Sequence, residues 1–314
     1  MGKYILKRLV MCLIVIFCAS IVIFTIMYFV PGDPVEIMLG ANATVEAKEA
    51  MREQLGLNDP FLVQLGDFLY SAFIKLDLGT SYTYNAPITT ELFNRMPRTL
   101  ALGVACIVVD VIISIPLGIY AALKRGHWQD TACTVFAMAC VSIPDFWFAL
   151  MLVIVFSQML GLLPSYGIGG IQYYIMPVAA GSLAGIGGLL RQTRSGMLDV
   201  MTSDFVVTAR AKGVPESKVI TKHMLPNALI PVITVIGGHF GRCIAGTVII
   251  EQIFSIPGVG AYLLSAVNSR DYPIIRGSVI ILAAITSIVM LLVDLVYALI
   301  DPRIKAQYAG KAGQ

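Results

Sequence analysis

Six apolar runs, each about as long as a helix needs to be to cross a bilayer, divide this 314-residue chain. They cover residues 9–30, 99–123, 131–160, 173–190, 228–254 and 274–300. Lipid offers no partner for free backbone N–H and C=O groups, so runs of this length fold there as helices. Charged residues make up 13% of the chain, about half the usual share in soluble domains. The fold class expected is therefore all-α integral membrane, with six transmembrane helices. The 173–190 run is the weakest, being rich in Gly and Ala. Gly181 and Gly185 in it form a small-xxx-small pair suited to close helix packing. Lys3, Lys7 and Arg8 precede the first run as in a signal peptide, but its apolar stretch is too long and no small-residue cleavage site follows. It reads as a retained anchor.

Basic residues set the orientation. With the N-terminus in the cytoplasm, 14 Lys and Arg fall on inner segments and 7 on outer ones, and Arg242 lies within a span. That bias places both termini inside. The net charge of +3 then reports topology, and nucleic acid is not an expected partner. All six cysteines, Cys12, Cys18, Cys106, Cys133, Cys140 and Cys243, fall within apolar runs, so neither a disulfide framework nor a zinc spacing is read.

Three parts are expected along the chain: an anchor helix with an extracytoplasmic cap (1–94), a transmembrane domain (95–300) and a cytoplasmic tail (301–314). PGDP at 31–34 ends the first helix with two prolines. A helix over 45–55 follows, closed by Gly56, then an amphipathic helix over 61–76 and an extended LDLGTSY at 76–82. Between the fourth and fifth spans lies the polar, basic segment DFVVTARAKGVPESKVITKHMLPNALIP, at 204–231. A chain that only had to turn around needs far fewer residues. This segment reads as a surface offered to a partner, with Gly213 turning the chain between two short helices.

On PGDP, LGLNDP (55–60), LDLGTS (76–81), SIPDFWFAL (142–150), TARAKG (208–213), HMLPNALIP (223–231), EQIFSIPGVG (251–260), RDYP (270–273) and DPR (301–303), the chain resembles the B-type permease subunit of dipeptide, oligopeptide and nickel ABC importers. The resemblance covers nearly the whole chain. It implies a type I ABC importer permease fold with an extracytoplasmic insert after helix 1. It also implies a second, C-type permease subunit, two ATPase subunits and an extracytoplasmic substrate-binding protein. Localisation would be the bacterial or archaeal cytoplasmic membrane. Within the coupling loop (191–227), Thr208, Ala209, Arg210, Ala211, Lys212, Gly213 and Pro226 would meet an ATPase, with Arg210 and Lys212 as rim charges. Val207 and His223 depart from the general loop pattern, as in peptide-type members. No G-x-x-x-x-G-K-[ST] loop is present, so ATP and Mg belong to partner subunits and no cofactor or catalytic residue is assigned to this chain.

Asp110, Asp145, Arg242, Glu251 and Asp294 lie in or beside apolar runs, where charge is costly and faces protein or water. Interhelical pairing is the favoured reading for Asp110 and Asp294, for instance with Arg242. Asp145, after Pro144, His239, Arg242 and Cys243 are candidates for the translocation path. Glu251 is placed to bond the IPGVG turn. His239 and Cys243 share a helix face and together suit a soft or borderline metal. Packing is the commoner role of such a pair, and no metal site is assigned. Tyr82, Tyr84, Asp271 and Tyr272 are expected to contact the binding protein. Peptide cargo is the first reading and nickel or a metal chelate the alternative. An ion-coupled secondary transporter leaves the long loop unexplained and shows no internal repeat. An intramembrane enzyme lacks any HExxH, GxSxG or paired-Asp motif.

Overall fold

The computed structural model describes residues 2–40 and 42–300. The expected tail at 301–314, with its DPR helix stop, lies outside the described residues. Helices account for the regular structure among the described residues: α1 Gly2–Phe29, α2 Pro34–Leu39, α3 Val45–Gln54, α4 Phe61–Phe73, α5 Ile88–Leu123, α6 Trp128–Ser142, α7 Asp145–Leu152, α8 Gln172–Met201, α9 Asp204–Ala211, α10 Glu216–Lys218, α11 Leu225–Ile253, α12 Val259–Ser269 and α13 Tyr272–Ile300. π-Helical turns extend α7 through Val153–Met159 and join α10 to α11 through Val219–Met224. Among the described residues, five helices are long and apolar enough to span a membrane, or six when the bent pair α6–α7 is one span.

The bend is 96° and lies at Pro144. Proline disfavours helical backbone in the residue before it and lacks the N–H to continue a helix. Ile143 is accordingly extended, and α7 restarts at Asp145. The apolar run at 131–160 is thus two helices about a proline break and not one straight helix. α5 is also longer than expected, beginning at Ile88 and so carrying its polar first turns, including Glu91 and Arg95, into the helix.

The chain divides into two compact units. One is built on Leu100–Ile256. At its centre lies α8, with 50% of its apolar window buried, against 11% for α1. A helix with so much of its surface packed against protein has less need of strongly apolar residues. It needs small ones, and Gly185 shows why. A Cβ there would strike the Asp110 carboxylate of α5 and the His239 ring of α11. A Cβ on Gly181 would meet the Cys106 sulfur at 2.7 Å. Arg194 of α8 grips Asp130 in the first turn of α6 with Nε to Oδ1 at 2.5 Å and Nη2 to Oδ2 at 2.8 Å. The backbone N–H of Gly126 also donates to Asp130 Oδ2, at 3.2 Å.

The other unit holds Leu9–Thr99 and Pro257–Ser287. Its short helices are locally capped: Asp33 accepts from Val35 N at 3.0 Å and Thr44 Oγ1 from Ala47 N at 3.3 Å. Arg52 of α3 reaches both Asp33 and Glu49. Gly56 follows α3 at φ +64, and Thr80 bridges Pro87 where extended chain was expected. The division is discontinuous in sequence, since 257–287 belongs with the cap segment, where a linear cut at residue 94 was expected.

Candidate functional site

The first unit contains a cleft of about 430 Å³. Asp145, His239, Arg242 and Cys243, the four residues singled out for the path, all line it. Asp145 arrives there because the proline break turns the start of α7 inward. On α11 the lining residues Val235, His239, Arg242, Gly246 and Ile250 recur every three or four positions and form one stripe. α8 supplies a matching stripe, Gly181, Ala184 and Gly188, which runs on into Arg191 and Gln192. The cleft wall is thus apolar and small-residue in part, with a carboxylate, two guanidinium groups, an amide, an imidazole and thiols set into it. Arg191 and Gln192 were missed as site residues. The signal for them was the spacing of small residues on α8, which continues directly to them.

Asp110 and Asp294 both have partners, as expected, but the partner is not Arg242 in either case. Asp110 is fully buried and lies against His239, with Oδ2 3.1 Å from Nδ1. Asp294 pairs with Arg8 at 2.8 Å. Arg242 makes neither pair and is exposed along the cleft. Charge sign alone favoured an Arg–Asp pair. The helix register instead puts His239 opposite Asp110, three residues before Arg242. Glu251 is fully buried, and its backbone carbonyl accepts from Ile256 N of the following turn at 2.8 Å.

The α8–α11 connection forms a second candidate surface. On α9, Val206 and Ala209 are buried among Met197, Val219, Met224 and Ala228. Three positions apart, they share one helix face and fasten α9 to the unit. Phe205, Thr208, Ala211 and Lys212 remain exposed, and so does Pro226 at the start of α11. Ala209 therefore anchors the helix and is not a contact residue, which revises its expected role. Arg210 is committed to Glu216 through Nη2 at 2.6 Å and Nε at 3.1 Å, bracing the turn between α9 and α10. Gly213 stands at φ +73, a left-handed conformation costly for any side chain with a Cβ. Its N–H donates to Arg210 O at 2.9 Å, and that of Val214 to Ala209 O at 3.2 Å, closing the helix as expected of a C-terminal glycine. Phe205, 44% exposed, was not singled out in the sequence although an exposed aromatic on a short helix is a contact signal.

In the second unit, Asp271 and Tyr272 are buried. Asp271 Oδ2 accepts from Ser81 Oγ at 2.7 Å and Thr83 N at 2.9 Å, and Oδ1 accepts from Ile274 N at 3.4 Å. Both side chains hold the unit together, so the expected docking role does not fit them. Tyr82 is half-buried, and burial pushes its phenol above the usual range. Tyr84 is 59% exposed and lines a cavity together with Glu91, Arg95 and Tyr262.

Residues 114–306 match the family described as "Binding-protein-dependent transport system inner membrane component", and residues 1–103 match its N-terminal companion. The chain is 38% identical over 313 residues to a Brucella abortus (strain 2308) protein named for peptide transport, covering 97% of this chain and 99% of that one. It is 37% identical to a dipeptide transport system permease protein of Alkalihalophilus pseudofirmus, covering 97% and 100%. To a glutathione transport system permease protein of Escherichia coli (strain K12) it is 35% identical, covering 97% and 99%. Five or six candidate spans among the described residues and a match over both family segments lead to one conclusion: the chain belongs to the binding-protein-dependent transport system inner membrane components, the multi-pass permeases of bacterial ABC importers.

Proposed function

We propose that this permease carries short peptides, and that α9 transmits the stroke of a partner ATPase to the helices around the cleft. The observation that carries the reading is the cleft lining. Asp145 on one wall and Arg191 and Arg242 on others give carboxylate and guanidinium groups to opposite ends of a zwitterion. Relatives covering nearly the whole chain are named for peptide, dipeptide and glutathione transport, which supports the same class of cargo.

In this account the chain pairs with a second permease subunit, two ATPases dock on the two coupling helices, and both termini lie in the cytoplasm. Phe205, Thr208, Ala211 and Lys212 form the ATPase contact, while Arg210 and Gly213 fix the angle of the helix that carries it. Nucleotide-driven closure of the ATPases moves α9, and the spans rock between outward-open and inward-open forms. A binding protein delivers cargo over Tyr84. The test is vanadate-sensitive uptake of labelled dipeptide in cells lacking other importers, with nickel-63 in a parallel arm. Dipeptide uptake that vanadate abolishes supports the reading. Uptake of nickel alone overturns the peptide assignment and leaves the coupling account standing.

A further inference from the structure

We infer that Asp110, His239 and Cys243 form a binding site for one borderline divalent cation of the zinc class, in the wall of the cleft and independent of peptide cargo. One ligand atom from each of the three buried side chains lies within 4.8 Å of the other two. The His239 Nδ1 is 3.1 Å from Asp110 Oδ2 and 3.4 Å from Cys243 Sγ. Tetrahedral zinc, with bonds near 2.0–2.3 Å, sets its ligands about 3.3–3.6 Å apart. The two measured separations lie close to those values, so a cation seats with only small side-chain shifts.

A second observation points the same way. Asp110 is fully buried, and among the described residues its Oδ1 has no hydrogen-bond partner while its Oδ2 has the His239 nitrogen that it shares with Cys243. A buried carboxylate oxygen without such a partner is costly, and a cation removes that cost. One imidazole nitrogen faces both an oxygen and a sulfur, and a single ring proton cannot satisfy the two. A metal in the middle can. The oxygen, nitrogen and sulfur set suits zinc, cobalt or nickel and is too soft for magnesium or calcium. Gly185 keeps the space, since a Cβ there would collide with both the Asp110 carboxylate and the His239 ring.

Asp110 comes from α5, and His239 and Cys243 come from α11. The bound cation therefore cross-links two helices. Binding displaces the Cys243 thiol proton to solvent and leaves the thiolate on the metal.

The test uses the full chain in its transporter complex, stripped with chelator and free of nucleotide and magnesium. Zinc binding is read by equilibrium dialysis, and cobalt(II) serves as the optical probe. The expected result is one zinc per chain, a zinc-induced rise in melting temperature, and a thiolate-to-cobalt charge-transfer band. Cys243→Ser changes one atom and preserves packing. It should remove the band and weaken zinc binding by about tenfold or more. Asp110→Asn should weaken binding without removing the band, and Cys18→Ser should change nothing. No zinc bound by the wild type overturns the proposal. Equal binding by wild type and Cys243→Ser does so as well, because the metal would then sit elsewhere.

Discussion

Gly213 is the residue on which the transmission account turns. Its φ of +73 closes α9, and no atom lies within 4 Å of where a Cβ would stand. Space is therefore no obstacle to substitution there, but backbone conformation is. Gly213→Val imposes a strain of about 1–2 kcal/mol on the turn that aims α9. Uptake should fall sharply while membrane insertion, read by fractionation, stays at wild-type level. Uptake at the wild-type rate would remove Gly213 from the mechanism. Asp271 gives the opposite kind of residue, one that is structural although it sits in a sequence motif resembling a contact loop. Asp271→Ala orphans the donors it now accepts from and should cost about 2–4 kcal/mol. Limited proteolysis should then cut the variant between residues 31 and 98 before the wild type. Burial decides between these two roles, and a sequence does not display burial in a loop. The Gly213 turn was legible because glycine after a short helix has one common explanation. The Asp271 role was not, because its partners Ser81 and Thr83 lie about 190 positions away.

At the scale of elements, five spans were legible from apolar length, and the sixth, α8, was weak for a physical reason. A central helix gives up hydropathy for small side chains, so its signal fades as its burial rises. The break at Pro144 was visible as a proline, but its 96° angle was not, since packing of α7 on α8 and α11 sets it. The Arg194–Asp130 clamp was not legible at all, with 64 residues between the partners. Arg194 is 28% exposed and Asp130 9%, so solvent screens the pair in part. Arg194→Met should therefore lower stability by about 1–3 kcal/mol, because it leaves a buried carboxylate short of its main partner. Asp130→Asn combined with Arg194→Met should recover part of that loss in a thermal melt. Melting of the double variant below the single one would show that the clamp holds α6 in some other way.

For the whole molecule, the proposed role is that of a gate moved by a partner ATPase. The cleft supplies polar groups along a path, and α9 supplies a handle fastened on one face by Val206 and Ala209 and exposed on the other. Asp145, His239 and Arg242 were readable because ionisable side chains rarely appear in apolar helices without cause, and Cys243 through its four-residue spacing from His239. Their pairing was not readable, since one turn of α11 decides whether His239 or Arg242 meets Asp110. The most direct test places a photo-crosslinking amino acid at Thr208, on the exposed face of α9, in the assembled transporter. The account expects the crosslinker to trap an ATPase subunit, with a yield that changes when nucleotide and vanadate are added. Capture of the ATPase at buried Ala209 but not at Thr208, or no capture at either, would contradict it.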